Sequence, residues 1–168
     1  MASFSAAQDK PGIHLDTGSE QMLGSADKSF AMDAAQGGLA EIQFGKLAAQ
    51  KAANPELKEF GRQMTSDHTR LNEKLKALVA REHMTLPEAI AAKDQATYDM
   101  LSRLSGSAFD KACAEEMLKA HQIAVKEFTR EAKAGKDSNM RNFASDALLL
   151  LQQHLDKIRS IHLQIRTS

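Results

Sequence analysis

Four ionisable side chains stand where an apolar helix stripe should continue: Glu41 between Ala34 and Phe44, His68 between Met64 and Leu71, His121 between Met117 and Ala124, and His154 between Leu151 and Ile158. Side chains three and four residues apart share a helix face, so all four are expected to point inward with their apolar neighbours. A buried carboxylate and three buried imidazoles are costly unless paired. One divalent transition metal satisfies all four together, through neutral ring nitrogens and an ionised glutamate. Zinc, iron, manganese and copper all accept such ligands, and neither ligand count nor ligand type selects among them. A metal-free network, with Glu41 accepting hydrogen bonds from the histidines, accounts for the same pattern. Both readings stand on the residues alone.

Helical periodicity supplies the elements that must position these groups. A first long helix over 27–53, capped by Ser25 or Asp27, follows from the spacing of Phe30, Ala34, Phe44, Ala48 and Ala52. Asn54-Pro55 then ends one helix and starts the next, because asparagine caps and proline fits the first helical position. The second helix, over 55–82, carries Phe60, Met64, Leu71, Leu75 and Leu78. A long connection follows, interrupted by Pro87, with a short helix expected over 94–104 on Tyr98, Leu101 and Leu104. After Ser105-Gly106-Ser107, a third long helix over 108–134 uses Phe109, Cys113, Met117, Ala124 and Phe128. Beyond the turn at Gly135–Asp137, Ser138 is expected to cap a fourth over 138–165, on Met140, Phe143, Ala147, Leu151, Leu155, Ile158 and Ile161. No sustained alternation occurs, so no strand is expected.

Connection lengths predict the topology. Short turns make antiparallel hairpins of the first and last helix pairs, and the long middle link can cross the bundle. The expected fold is an all-α, ferritin-like four-helix bundle, a single domain over 26–166 after a polar leader at 1–25 that reads as disordered. Depth then matters. Glu41 lies 13 residues before Asn54 and His68 14 after it, while His121 and His154 lie 15 before and 18 after Lys136. At about 1.5 Å of rise per residue, each hairpin brings its two polar groups level within about one helical turn. Hairpins packed in register would therefore bring all four to one spot. Gly37 and Gly45 flank Glu41 by four residues on its own face. Because glycine inside a helix costs about 1 kcal/mol relative to alanine, each implies either close backbone approach or room around the carboxylate.

Other candidate chemistry falls away. His14, His83 and His162 are expected in solvent. Asp67 directly precedes His68, but adjacent helical residues diverge by about 100° and cannot form a dyad. Cys113 is the one cysteine and lies eight residues from His121, out of contact, which removes a thiol-protease reading. Met64 and Met117 precede His68 and His121 by four residues, and methionine at that spacing reads as core before it reads as a copper ligand. No serine elbow, phosphate-cradling loop or zinc-finger spacing is present, so no catalytic residue is assigned.

Lysine plus arginine and aspartate plus glutamate number 22 each, leaving no net charge. Neither a nucleic-acid partner nor a polybasic membrane-surface role fits that balance. No apolar run reaches membrane-spanning length. No protein partner is assigned from the residues. The first 25 residues show no basic start followed by an apolar stretch, so the stretch itself predicts a cytoplasmic protein or one whose signal has been removed.

Taken together, the run Phe30-Ala31-Met32-Asp33-Ala34-Ala35-Gln36-Gly37-Gly38-Leu39-Ala40-Glu41, then Gly45-Lys46-Leu47-Ala48, Phe60-Gly61-Arg62-Gln63-Met64, Asp67-His68, Phe109-Asp110, Met117, His121 and His154-Leu155 resembles the bacterial domain of unknown function 4142, over roughly 29–162. The resemblance implies a ferritin-like fold and export to the periplasm or envelope, since members are often described as outer membrane proteins. It implies no particular activity. Ferritin-like di-iron sites use Glu-x-x-His on two helices. Here Thr65 and Leu151 precede His68 and His154 by three, so the bridging carboxylates are missing and a single-metal site is the expectation. The competing expectation is a non-catalytic envelope or stress interaction bundle with a metal-free polar core; a ferritin-like storage cage ranks third.

Overall fold

The computed structural model describes residues 22–167. Within them the chain forms α1 (Ser25–Lys51), α2 (Pro55–Val79, extended by a 3₁₀ turn over Ala80–Glu82), α3 (Ala92–Ser102), α4 (Gly106–Ala134) and α5 (Ser138–Thr167), with no strand among the described residues. The fold is an all-α helical bundle, as the periodicity predicts. Most of the polar leader, His14 included, lies outside the described residues. Leu23 is buried against the core and its N–H bonds to Glu82.

α1 packs along α2, and α4 along α5; across the hairpins α1 meets α4 and α2 meets α5. Helix directions follow from two end contacts. Asp27, in the first turn of α1, accepts hydrogen bonds from the Lys136 and Asp137 N–H groups at the α4–α5 turn, at 2.9 and 3.0 Å. Asp110, in the first turns of α4, accepts from the Ala53 and Asn54 N–H groups at the α1–α2 turn, at 3.0 and 2.8 Å. Each hairpin thus uses an aspartate near its start to satisfy orphan backbone donors in the other hairpin's turn. α1 and α4 run antiparallel, so the connection from Ala80 to Ser105 crosses the length of the bundle, as its length predicts.

Two capping expectations are corrected. Neither Ser25 nor Asp27 caps α1; Gly24 holds that position without a side-chain bond, because Asp27 is turned toward the other hairpin. At α5 the cap is Asp137, whose Oδ1 accepts from the Met140 N–H at 2.8 Å, and Ser138 is the first helical residue. Asn54 does cap α2, with Pro55 behind it and the Leu57 N–H at 2.9 Å from its side chain.

The apolar interior is divided. One cluster, around Phe44, Phe60, Met64, Phe109, Met117 and Ile158, fills the end near the α1–α2 turn. A second, around Phe30, Leu75, Phe128, Met140 and Leu151, fills the other end. Glu41, His68, His121 and His154 each fall in sequence between a residue of one cluster and a residue of the other. A polar layer therefore separates two apolar halves. Gly45 and Gly61 bring α1 and α2 together just beside it: a Cβ on Gly45 would lie 2.7 Å from the Gly61 carbonyl oxygen, and one on Gly61 would lie 2.6 Å from that of Gly45. At Gly45, then, close approach is the reason for glycine. At Gly37 a Cβ would meet nothing within 4 Å, so that face of α1 is open.

Candidate metal centre

His68 comes from α2, His121 from α4 and His154 from α5, and all are buried, with 5, 1 and 1% of their surface exposed. Their ring centroids lie 5.9 Å (His68–His121), 5.7 Å (His68–His154) and 5.6 Å (His121–His154) apart. One ring nitrogen from each residue lies within 4.8 Å of those of the other two. Phe60 closes the layer on the side of the first apolar cluster, with its ring 6.1 Å from His121 and edge-on to His154 at 5.9 Å.

Hydrogen bonds fix two of the rings. His121 Nδ1 lies 2.8 Å from the Met117 carbonyl oxygen, which can only accept, so Nδ1 carries the proton and donates. His154 Nε2 lies 2.9 Å from Asp67 Oδ2 and donates to it. The remaining nitrogens, His121 Nε2 and His154 Nδ1, carry lone pairs, are buried and have no hydrogen-bond partner; His68 Nε2 is likewise buried and unpartnered. A backbone carbonyl or carboxylate behind a ring, with the opposite nitrogen free, is the usual support of a metal-bound histidine. Asp67 thus belongs to the site through His154. Asp67 does not pair with its neighbour His68, in keeping with their angular divergence; its partner is His154 on α5, 87 residues away. An ionisable residue on the inner flank of α2, next to a candidate ligand, marks Asp67 as a member of the polar layer without naming its partner.

Glu41 is also buried, at 6% exposure, but it is not part of the three-nitrogen cluster. Its Oε1 lies 3.7 Å from His121 Nδ1, the nitrogen already engaged with Met117, and its Oε2 has no partner. Burial, helped by the charge of Asp94, pushes the Glu41 carboxyl up to about 8. Burial pulls His121 down to about 4, against the bond to Met117. Both are therefore neutral near pH 7, and their contact is not an ion pair. Burial and the neighbouring histidines hold His68 well below its ordinary range. At His154 burial also wins over the bond to Asp67. Burial acts to raise Asp67, but its bonds to His154 and Arg70 outweigh this and keep it ionised. The result is three neutral imidazoles beside one fixed carboxylate, the protonation state a metal needs. The Cys113 thiol is pushed up to about 12, first by burial and then by Glu41 and Asp110, so it offers no thiolate.

His83 is exposed and His162 half-buried, and neither joins the cluster. Among the described residues no helix is long and apolar enough to cross a membrane.

An all-α bundle carrying a buried three-histidine layer is the class that fold and site define. The chain belongs to the family described as "Domain of unknown function (DUF4142)", whose model matches residues 14–161. No curated protein matches it by sequence. Its fold is similar to that of a DUF305 fragment from Deinococcus radiodurans, at TM-score 0.75 and 11% identity, covering 85% of this chain and 99% of that one. It is similar also to CopM in the Cu(II)-bound form (TM-score 0.70, 19% identity) and in the Cu(I)-bound form (0.70, 22%), each covering 82% of this chain and 96% of CopM. CopM in an Ag-bound form matches at TM-score 0.68 and 21% identity, over the same shares.

Proposed function

We propose that this protein is a metal-handling bundle in which His68, His121 and His154 hold one transition-metal ion, with copper in its monovalent state preferred. The observation that carries the reading is the set of buried, unpartnered ring nitrogens, two of them on rings held from behind by Met117 and Asp67. Of zinc, iron, manganese and copper, all four suit imidazole to some degree, but manganese favours oxygen ligands. The layer between two apolar clusters also penalises a doubly charged ion more than a singly charged one. That CopM, similar in fold, has Cu(I)-, Cu(II)- and Ag-bound forms points the same way. Glu41 acts on this reading beside the histidines, without entering the ligand set around the free nitrogens. The role is carriage of the ion, without turnover of a substrate. Residence in the bacterial envelope, implied by the family resemblance, belongs to the same proposal.

The test is elemental analysis of protein purified without chelators, followed by Cu(I) titration against a chromogenic chelator. One ion per chain is expected, with His121→Ala losing it while helical circular dichroism is retained. Retention of one ion by His121→Ala would remove His121 from the ligand set. No uptake of any of the four metals by the native protein would leave the metal-free polar core as the reading.

A further inference from the structure

A cavity of about 460 Å³ opens between α1 and α4, roofed by the start of α3. Its inner wall includes Glu41 and His68, so it runs from the surface to the polar layer. The three-histidine cluster is otherwise enclosed, with Phe60 on one side and the two apolar clusters above and below. Asp33, Asp94, Glu116 and Glu127 line the cavity together with the neutral Glu41 carboxyl, against Lys93 and Lys119; Lys119 pairs with Glu116 on the wall and with Glu115. An acidic, walled cleft concentrates cations at its mouth. Two further features set it apart from an ordinary surface groove. Glu41 Oε2 is buried without a partner, on a residue that lines the cavity. Gly37 lines it too, with open space where a side chain would stand, inside a helix where glycine is otherwise unfavourable.

We propose that this cavity is the entrance by which a metal ion reaches the histidines, and that Glu41 is the carboxyl that receives the ion from the mouth, giving up its proton to solvent as the ion binds, and passes it to the cluster. The inference rests on the metal-handling reading and adds to it a route and a transit ligand. Gly37 keeps the passage wide, and the carboxylates at the rim draw the cation in.

The test measures rate separately from capacity. Transfer of Cu(I) from its bicinchoninate complex to the metal-free protein is followed by stopped-flow absorbance, for the native chain and for Gly37→Ala, Gly37→Leu, Gly37→Phe and Glu41→Gln. The glycine series should slow transfer progressively, by tenfold or more at phenylalanine, with helical circular dichroism and the final one-to-one stoichiometry unchanged. Glu41→Gln should slow transfer severalfold at unchanged stoichiometry. Native-like rates in both Gly37→Phe and Glu41→Gln would overturn the entrance while leaving the metal site intact. Loss of stoichiometric binding in a folded Gly37→Phe would overturn it also, since a plug outside the ligand set should spare capacity. Failure of the native protein to take up Cu(I) would remove both the entrance and the site it serves.

Discussion

Asp67 on α2 and His154 on α5 meet across the bundle, carboxylate to imidazole, at 2.9 Å with both side chains buried. The pair joins the two hairpins in the middle of the core and sets which nitrogen of His154 is free. Removing the carboxylate should therefore act on metal affinity more than on the fold. In Asp67→Asn, Cu(I) affinity measured by chelator competition is expected to fall about 10- to 100-fold, the usual effect of losing a carboxylate behind a ligating histidine. Unchanged affinity would detach Asp67 from the site.

The pH dependence of metal-free stability has two limbs of opposite sign. His121 titrates near 4 when folded and near 6.5 when unfolded, and His68 and His154 are also lowered. Their contribution is full above 6.5 and is lost as pH falls toward 4, because the unfolded chain then binds more protons. Glu41, at about 8 folded and 4.5 unfolded, works the other way: its contribution is full below 4.5 and is lost as pH rises through 8. Glu131, raised to about 7 by burial and the adjacent Asp27, adds to the alkaline limb. The two windows overlap, so the melting temperature should peak where the opposing slopes balance and decline on both sides. Glu41→Gln should flatten the decline between pH 6 and 9; an unaltered alkaline slope would assign that limb elsewhere.

The reciprocal end contacts should be energetically matched. Asp27→Ala and Asp110→Ala each strip acceptors from two backbone N–H groups. Loss of such charge-assisted bonds costs on the order of 1–3 kcal/mol, which for a chain of this size lowers the melting temperature by about 2–4 °C per kcal/mol. Because the two contacts lie at opposite ends, the double variant should show the sum of the single effects. A marked departure from additivity in thermal unfolding would mean that the ends are coupled.

Glycines on one helix should respond in opposite directions. Gly45→Ala pushes a methyl against the Gly61 carbonyl at 2.7 Å and against Thr65 Oγ1 at 2.8 Å, so it should destabilise by about 1–3 kcal/mol. Gly37→Ala meets nothing and should stabilise by up to about 1 kcal/mol through helix propensity. Equal shifts in chemical denaturation would contradict this division.

Much of the architecture was legible because it depends on local periodicity. The helices start and stop near Asn54-Pro55, Ser105-Gly106 and Gly135, and connection lengths gave the crossing link between α2 and α4. The convergence of His68, His121 and His154 could be read from residue counts to the turns, since helical rise converts counts into depth. Angular position around each helix is less visible. Glu41 stands 3.7 Å from His121 yet outside the three-nitrogen cluster, because counts to a turn fix depth and leave open the angle that separates a ligand position from a flanking one. Contacts that join distant segments, such as Asp67 with His154 or Asp27 with Lys136, leave no local pattern. The division between Gly37 and Gly45 was open for the same reason: only the neighbouring helix distinguishes a groove from a contact.

The exchange of aspartates between the hairpins has a further meaning for how this scaffold can vary. Longitudinal alignment of the four rods is pinned at both poles of the molecule, by Asp27 at one and Asp110 at the other, remote from the middle layer. The central slice, where Asp67 also meets His154, is thereby relieved of sole responsibility for registration. Its side chains can be exchanged for others suited to a different ion without the frame sliding.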